Sequence, residues 1–208
     1  MQKRKQSFAK TGQPPPSDAL YEFAVRALAR RSRSSGEVRL LLQRKGGTKA
    51  QIEEIIHRLK ENGYLDDARF ARSFAAWRID GNLHGEARVR RDLRARRVKP
   101  EIIEEAVGKA YEDVNEAELL GQYLRRKVVV SKSLAKPSAV ASLYRRLLHA
   151  GFSSATIIQE LKKLLPGPLM VRRAGARAAE SSATEPVAWD ELLDSLSETS
   201  ETEADLDQ

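Results

Sequence analysis

The sequence predicts an all-α protein: a tandem array of three three-helix repeats, elongated and curved, with disordered N- and C-terminal tails. Two observations carry this prediction. Apolar residues recur at the spacing of one helix face between residues 17 and 165, and the pattern itself recurs. Offsets of 51 and 105 residues superimpose four apolar positions in each copy, namely Val38, Leu42, Ile52 and Ile56, then Val89, Leu93, Ile103 and Val107, then Leu143, Leu147, Ile157 and Leu161. A period near 50 built from helix triplets is typical of an array whose units contact their sequence neighbours. One irregular helical domain with coincidental matches is the alternative.

Turn-forming residues divide the chain into five segments. Residues 1–16 form a basic arm that ends in three prolines, and residues 17–65, 66–114 and 115–167 form the repeats. Residues 168–208 form a disordered tail that is acidic from residue 180, because their composition supports no packed core. One stretch of the tail has the apolar spacing of a short amphipathic helix formed on contact with a partner, with apolar residues at Val187, Trp189, Leu192, Leu193 and Leu196.

The joint between the first two repeats lies in the stretch Gly63 to Ala71, which reads Gly-Tyr-Leu-Asp-Asp-Ala-Arg-Phe-Ala. A helix is predicted to end at Gly63, where glycine adopts the left-handed conformation at little cost. Asp66 is the predicted N-cap of the next helix, and Asp67 lies in its first turn, where the helix dipole favours negative charge. Trp77 is expected in the core or at a contact between repeats.

The charge of the chain is divided between a cationic body and an anionic tail. The net charge is +8, but ten acidic residues and no lysine or arginine lie from residue 180 onward. Without these ten, 19 acidic residues remain against 37 basic ones, so the rest of the chain carries +18. Such a body favours polyanions as partners, nucleic acid before acidic protein or membrane surfaces. A solvated helical surface without a polyanionic partner is the alternative.

Composition also argues against several classes of site. The chain has no cysteine, which excludes disulfides and thiolate metal ligands, and no long apolar run, so a cytoplasmic protein is expected. The three histidines, His57, His84 and His149, lie in different repeats, without the spacing of metal ligands. No phosphate loop or catalytic group stands out. We therefore expect no catalytic residue, no metal, no cofactor and no enzymatic activity.

Arginine clusters are the sharpest candidate site. Residues 88–97 contain six arginines and one acidic residue, and Arg90, Arg94 and Arg97 fall on one stripe of a helix. Close guanidinium groups repel one another unless an anion lies near them. Similar clusters occur in every repeat, so the predicted binding residues are Arg30, Arg31, Arg33, Arg88, Arg90, Arg91, Arg94, Arg96, Arg97, Arg125, Arg126, Arg145 and Arg146. Few aromatic residues lie among them, which argues against base stacking as the main contact. Scattered solvated arginines are the alternative.

The stretch Gly63 to Ala71 resembles the signature of the RecX family, regulators of the RecA recombinase. Supporting matches lie at residues 29–31, 37–39, 45–46, 85–98 and 102–106. The resemblance covers about residues 20 to 165. It implies an array of three-helix repeats that binds the RecA filament along its groove and inhibits filament growth, ATP hydrolysis and strand exchange. Arg97 replaces a glycine that is usual in the family, so that helix end is expected to have a different shape. The acidic tail is also unusual for the family.

Three functional hypotheses follow from the sequence. The first is a monomeric regulator whose arginines contact the RecA filament together with single-stranded DNA, and double-stranded DNA as well. The second is a helical DNA-binding regulator that does not act on RecA, because a basic helix of a three-helix unit fits the major groove. The third is an interaction scaffold that docks a partner through the segment around Trp189.

Overall fold

A computed structural model describes residues 14–127, 137–164, 169–172 and 184–187 of the chain. Nine helices lie in its described part between residues 17 and 164, three in each predicted repeat, which confirms the all-helical class. They are α1 Ser17–Arg30, α2 Ser35–Arg44, α3 Lys49–Glu61, α4 Asp67–Asp80, α5 Glu86–Ala95, α6 Pro100–Tyr111, α7 Glu116–Lys127, α8 Pro137–His149 and α9 Ser154–Leu164. None of the described helices has the length and apolar composition needed to span a bilayer.

Local sequence explains where these helices begin. Capping boxes start two of them, Ser34 with Glu37 at α2 and Thr48 with Gln51 at α3. Each pair satisfies backbone N–H groups that have no partner inside the helix. Pro100 occupies the first turn of α6, where its missing N–H is tolerated.

The turn between the second and third helix of each repeat has the same backbone structure three times. Its left-handed residue is Gly46 with a φ of 86°, Arg97 with 59° and Gly151 with 95°. In every copy, this residue and the next donate N–H groups to carbonyls three and five residues back, at 2.8 to 3.3 Å. This common geometry supports the predicted repetition. It also corrects the expectation of a different helix end at Arg97, because arginine adopts there the conformation that glycine adopts in the other copies.

Two compact units make up the chain, and each is described by itself. The first consists of residues 1–76 and 90–112, and the second of residues 77–89 and 113–208. Two of their boundaries lie within α4 and α5, and the third follows α6, so they do not coincide with the predicted repeat boundaries, which stay a prediction. In the first unit, α1, α2 and α3 enclose a core that includes Leu20, Val38, Leu42, Ile55 and Leu59.

The second unit has its own buried apolar residues on α7, α8 and α9. Leu120, Val140, Leu147, Ile157 and Leu161 are fully buried there. The rings of Tyr123 and Phe152 meet edge to face, with centroids 5.5 Å apart, and this geometry suits the charge distribution of aromatic rings.

A two-stranded antiparallel sheet also belongs to the second unit. Strand β1, Leu169–Arg172, pairs with β2, Thr184–Val187, with Leu169 opposite Val187. Both strands lie in the segment predicted as a disordered tail, and the strand pair was not part of that prediction. Its first strand is a short apolar run, which sequence periodicity alone does not assign to helix or strand. The helix suggested around Trp189 lies outside the described residues, except for Val187.

Trp77 lies outside the core, because 57% of the residue is exposed, whereas its contact between repeats stays a prediction. The buried stripe of α4 consists of Asp67, Ala71, Phe74 and Ala75. At 100° per residue, position 77 lies about 100° from the centre of this stripe, so the indole lies at its edge. The guanidinium of Arg78 lies 5.0 Å from its ring.

Candidate functional site

The stretch Gly63 to Ala71 forms the predicted tight joint between α3 and α4. Gly63 has a φ of 70°, and the N–H groups of Tyr64 and Leu65 both donate to the carbonyl of Leu59, at 2.9 and 3.1 Å. Asp66 caps α4 as predicted, since its Oδ1 accepts the N–H of Arg69 at 2.8 Å. The joint also borders a shallow surface cavity of about 410 Å³, lined by Lys60, Gly63, Leu65, Asp66, Asp67, Ala68, Arg69 and Ile102.

Asp67 has a role that the sequence interpretation missed. Its carboxylate is almost buried, with 8% of the residue exposed, and accepts the backbone N–H of Ser35 at 2.7 Å. A neighbouring hydroxyl, that of Ser34, donates to the carbonyl of Arg96. The N-terminus of α2 is therefore fastened to the start of α4 and to the turn after α5. The run Ser34-Ser35-Gly36 is the only sequence signal of this contact, because small residues permit close approach of two backbones.

Glu37 brings two of the predicted arginine clusters together in the first unit. Its Oε1 lies 3.4 Å from the guanidinium of Arg31 and 3.6 Å from that of Arg96. Only 16% of the Glu37 side chain is exposed. The guanidinium of Arg96 also lies 4.8 Å from the ring centroid of Phe74. Two arginines that are 65 positions apart in sequence thus share one carboxylate, so part of their charge is balanced within the protein.

Arg33 lies beside this group. Its Nε donates to the carbonyl of Ala27 at 3.5 Å. Burial and the neighbouring charge of Arg31 lower the pKa of the Arg33 guanidinium, while Glu37 raises it. Arg30, at the end of α1, is exposed to solvent. Of the cluster at residues 30–33, Arg30 is therefore the arginine best placed to meet an external anion.

The predicted stripe of Arg90, Arg94 and Arg97 is partly engaged inside the first unit. Arg90 forms an ion pair with Glu104 on α6, and the guanidinium of Arg94 lies 3.9 Å from the same carboxylate. Arg94 nevertheless keeps 65% of its side chain exposed. Arg97 is exposed at the left-handed turn, and Arg91 is exposed on α5. Within this stripe, Arg90 therefore links α5 to α6, whereas Arg94 and Arg97, which lie nearer the turn, are more accessible to solvent.

The pair of Arg90 with Glu104 repeats one from the first repeat. Arg39 and Glu53 lie 51 positions earlier, and the Arg39 Nε is 2.9 Å from the Glu53 Oε1. The hydrogen bond from Arg39 lowers the pKa of the Glu53 carboxyl. In both repeats, the arginine thus links the second helix to the third. The offset of 51 could have revealed this role from the sequence, because it superimposes both partners.

In the second unit, the N-terminus of α5 makes a contact like that of the N-terminus of α2 in the first unit, where Ser34 donates to the carbonyl of Arg96. The Gly85 N–H donates to the carbonyl of Ala150 at 2.9 Å, and Arg88 Nη1 donates to that of His149 at 3.3 Å. A Cβ added to Gly85 would lie 2.2 Å from the Gly151 carbonyl oxygen, so only glycine fits. Arg88 occupies the position that Glu37 has in the first repeat.

Four predicted arginines of the second unit lie on the surfaces of two helices. Arg125 and Arg126 are exposed on α7, and Arg145 and Arg146 are exposed on α8. Arg125 Nη1 would lie 3.5 Å from a Cβ at Gly121, so its side chain lies back along α7.

Within the part of the chain that the structure describes, no group of three or more histidine or acidic side chains is arranged to hold a metal ion. The chemistry available is that of guanidinium donors on helical surfaces.

Comparison with known proteins assigns the family. Residues 21–59 match the first three-helix domain of RecX, and residues 66–107 match the second. The regulatory protein RecX of Vibrio vulnificus is 31% identical over 139 residues, which are 67% of this chain and 88% of that protein. The regulatory protein RecX of Syntrophotalea carbinolica is 32% identical over 147 residues, which are 70% of this chain and 95% of that protein. The chain belongs to the RecX family.

The matched ranges lie within α1 to α3 and within α4 to α6, so the RecX domains correspond to the first two predicted repeats. The crystal structure of RecX from Lactobacillus salivarius has the same fold, with a TM-score of 0.56 at 21% identity. The match covers 71% of this chain and 96% of that structure. The family assignment confirms the resemblance drawn from the signature, and it places the chain among regulatory proteins.

Proposed function

We propose that this chain is a monomeric regulator that binds the RecA recombinase and its DNA filament and inhibits filament growth, ATP hydrolysis and strand exchange. Membership in the RecX family, whose relatives here are named regulatory proteins, carries the proposal. The protein acts by binding, without catalysis of its own and without a cofactor.

The charge distribution supports a polyanionic partner. In the first unit, Glu37 and Glu104 balance several of the predicted arginines, whereas Arg30, Arg94 and Arg97 keep exposed guanidinium groups. Exposed arginines suit phosphates and carboxylates equally well, because the planar guanidinium donates in pairs to either group. A filament of RecA on DNA offers both kinds of anion along its length, so the same surface contacts protein and nucleic acid.

A titration of RecA-catalysed ATP hydrolysis on single-stranded DNA tests the proposal. Stoichiometric amounts of the protein are expected to reduce the rate. Replacement of Arg94 and Arg97 by Ala is expected to weaken inhibition by about tenfold or more, since each lost charged hydrogen bond costs roughly 1.5–3 kcal/mol.

A matched variant controls for net charge. Arg44 and Lys109 are exposed cations of the same unit outside the predicted set, and their replacement by Ala removes the same two charges. The control is expected to inhibit like the unsubstituted protein. Unchanged ATP hydrolysis and strand exchange in the presence of the unsubstituted protein would rule out the proposed function. Binding to particular duplex sites with a specificity ratio above ~10³ would instead favour a DNA-binding regulator that does not act on RecA.

A further inference from the structure

Helix α8 presents a face made only of hydrogen-bond donors and neutral hydroxyls. Its exposed residues are Ser138, Ser142, Arg145, Arg146 and His149, which we call the α8 face. At 100° per residue, these five positions span about 100° of the helix. The buried residues Val140, Leu143, Tyr144 and Leu147 lie on the opposite side. The sequence of α8 contains no aspartate or glutamate, so no carboxylate of the helix itself competes for these donors.

Helix α7 of the same unit provides a contrast. It also ends in an exposed arginine pair, Arg125 and Arg126, and Gln122 precedes that pair as Ser142 precedes Arg145 and Arg146. However, Glu118 is exposed one turn before Gln122, on the same stripe of the helix. A carboxylate therefore accompanies the arginines of α7, whereas the arginines of α8 are accompanied by serines.

The residues that correspond to Ser142 in the other two repeats show how the α8 face differs from the second helices of those repeats. Position 142 corresponds to Glu37 in the first repeat and to Arg88 in the second, by the offsets of 105 and 54. Glu37 binds the guanidinium groups of Arg31 and Arg96, and thus acts as a counter-ion supplied by the chain. The third repeat has a serine where the first repeat has this counter-ion.

We infer that the α8 face is a contact surface for the phosphate backbone of single-stranded nucleic acid. Serine hydroxyls and arginine guanidinium groups are among the usual donors to phosphate oxygens. Apart from the adjacent Arg145 and Arg146, their positions follow one another at three to four residues, about 4.5–6 Å along the helix, so donors on successive turns reach separate phosphates. Arginine is the residue type of this face that commonly anchors a protein partner, and serine is under-represented among such anchors, whereas both arginine and serine contact phosphate oxygens. The inference rests on the proposed function for the biological setting of this contact.

The test measures binding of a fluorescent oligothymidylate to the full-length protein alone, from 50 mM to 1 M salt, without RecA. Ser142→Glu places in the third repeat the carboxylate that the first repeat has naturally. It also creates Glu–Arg pairs three and four residues apart, which favour the helix, so folding is not endangered. Gln122→Glu on α7 is the matched control, because it adds the same charge at the same spacing from an arginine pair.

For Ser142→Glu, we expect the loss of one or two phosphate contacts. The slope of log affinity against log salt should become shallower by about 0.7 to 1.4, and affinity at 50 mM salt should fall by roughly 8- to 60-fold. Ser142→Lys should have the opposite effect, with a gain of roughly eightfold for one added contact. The control Gln122→Glu should remain within about threefold of the unsubstituted protein, because the arginine pair of α7 already has the carboxylate of Glu118 on its stripe of the helix.

Two results would overturn the inference. One is an absence of salt-dependent binding by the unsubstituted protein, and the other is an equal loss of affinity in Ser142→Glu and Gln122→Glu. Neither result tests the proposed function, because the titration of RecA-catalysed ATP hydrolysis measures that separately. Conversely, a protein that does not inhibit RecA but binds the oligonucleotide through the α8 face would refute the proposed function alone.

Discussion

Substitution of Gly36 by alanine should break the contact that fastens α2 to the second repeat. A Cβ at this position would lie 2.4 Å from both the Cβ and the carbonyl oxygen of Arg97. Ordinary contacts between carbon atoms begin about 1 Å further out, so the N-terminus of α2 has to move by roughly that distance. The hydrogen bond from Ser35 to Asp67, now 2.7 Å long, would then exceed hydrogen-bonding range.

The expected loss of stability follows from these contacts. Overpacking costs roughly 1–3 kcal/mol, and an unsatisfied buried acceptor such as Asp67 adds about 1–3 kcal/mol. Because movement relieves part of the overlap, we expect the free energy of unfolding to fall by about 2–4 kcal/mol. Gly108 on α6 provides the control, since a Cβ there meets nothing within 4 Å. Gly108→Ala should raise stability by about 0.5–1 kcal/mol.

Urea denaturation monitored by circular dichroism measures the change, and amide hydrogen exchange localises it. Protection should fall in α2 and at the start of α4, while α9 in the second unit keeps its protection. The reasoning would be refuted if Gly36→Ala and Gly108→Ala had free energies of unfolding within about 0.5 kcal/mol of each other.

Three further predictions concern individual residues. Asp67→Ala should destabilise the first unit by about 1–3 kcal/mol in urea denaturation, because the Ser35 N–H loses its acceptor; stability equal to that of the unsubstituted protein would contradict this role. Arg97→Gly should leave the turn intact and raise the free energy of unfolding by up to about 1 kcal/mol, since a left-handed residue other than glycine is strained; any loss above that amount would show that the arginine side chain itself stabilises the turn. The pKa of Glu53 is lowered in the folded state, so its contribution is present above the ordinary glutamate pKa and is lost as pH falls through the lowered value. Glu53→Gln should therefore reduce the change of unfolding free energy with pH below about pH 4.5. The pH dependence of the unfolding free energy near pH 7 should stay the same.

Much of the fold could be predicted because its signals are local. The helix boundary at Gly63, the cap at Asp66 and the recurrence at offsets of 51 and 105 depend on backbone conformation and on residues a few positions apart. The family signature lies in the same stretch. Trp77 is not in the core, because the buried stripe of α4 consists of Asp67, Ala71, Phe74 and Ala75 and leaves the indole at its edge.

The candidate site was less predictable, because the number of charged residues in the sequence does not show which of them form ion pairs. The sequence predicts thirteen arginines as one group. Tertiary structure separates Arg31, Arg90 and Arg96, which have carboxylate partners within the chain, from Arg145 and Arg146, which lie on a helix without a carboxylate. Whether the arginines of the two units contact one polyanion stays a prediction.

The sequence by itself determined the helical repeats, the joints between them and the family, since helix periodicity, capping and turn chemistry act over a few residues. Only tertiary structure decided that Asp67 accepts the N–H of Ser35 and that Glu37 lies between Arg31 and Arg96. The physical reason is that hydrogen bonds and ion pairs form within about 4 Å in space. Folding brings Ser35 and Asp67 to that distance from positions 32 residues apart, and Glu37 and Arg96 from positions 59 residues apart.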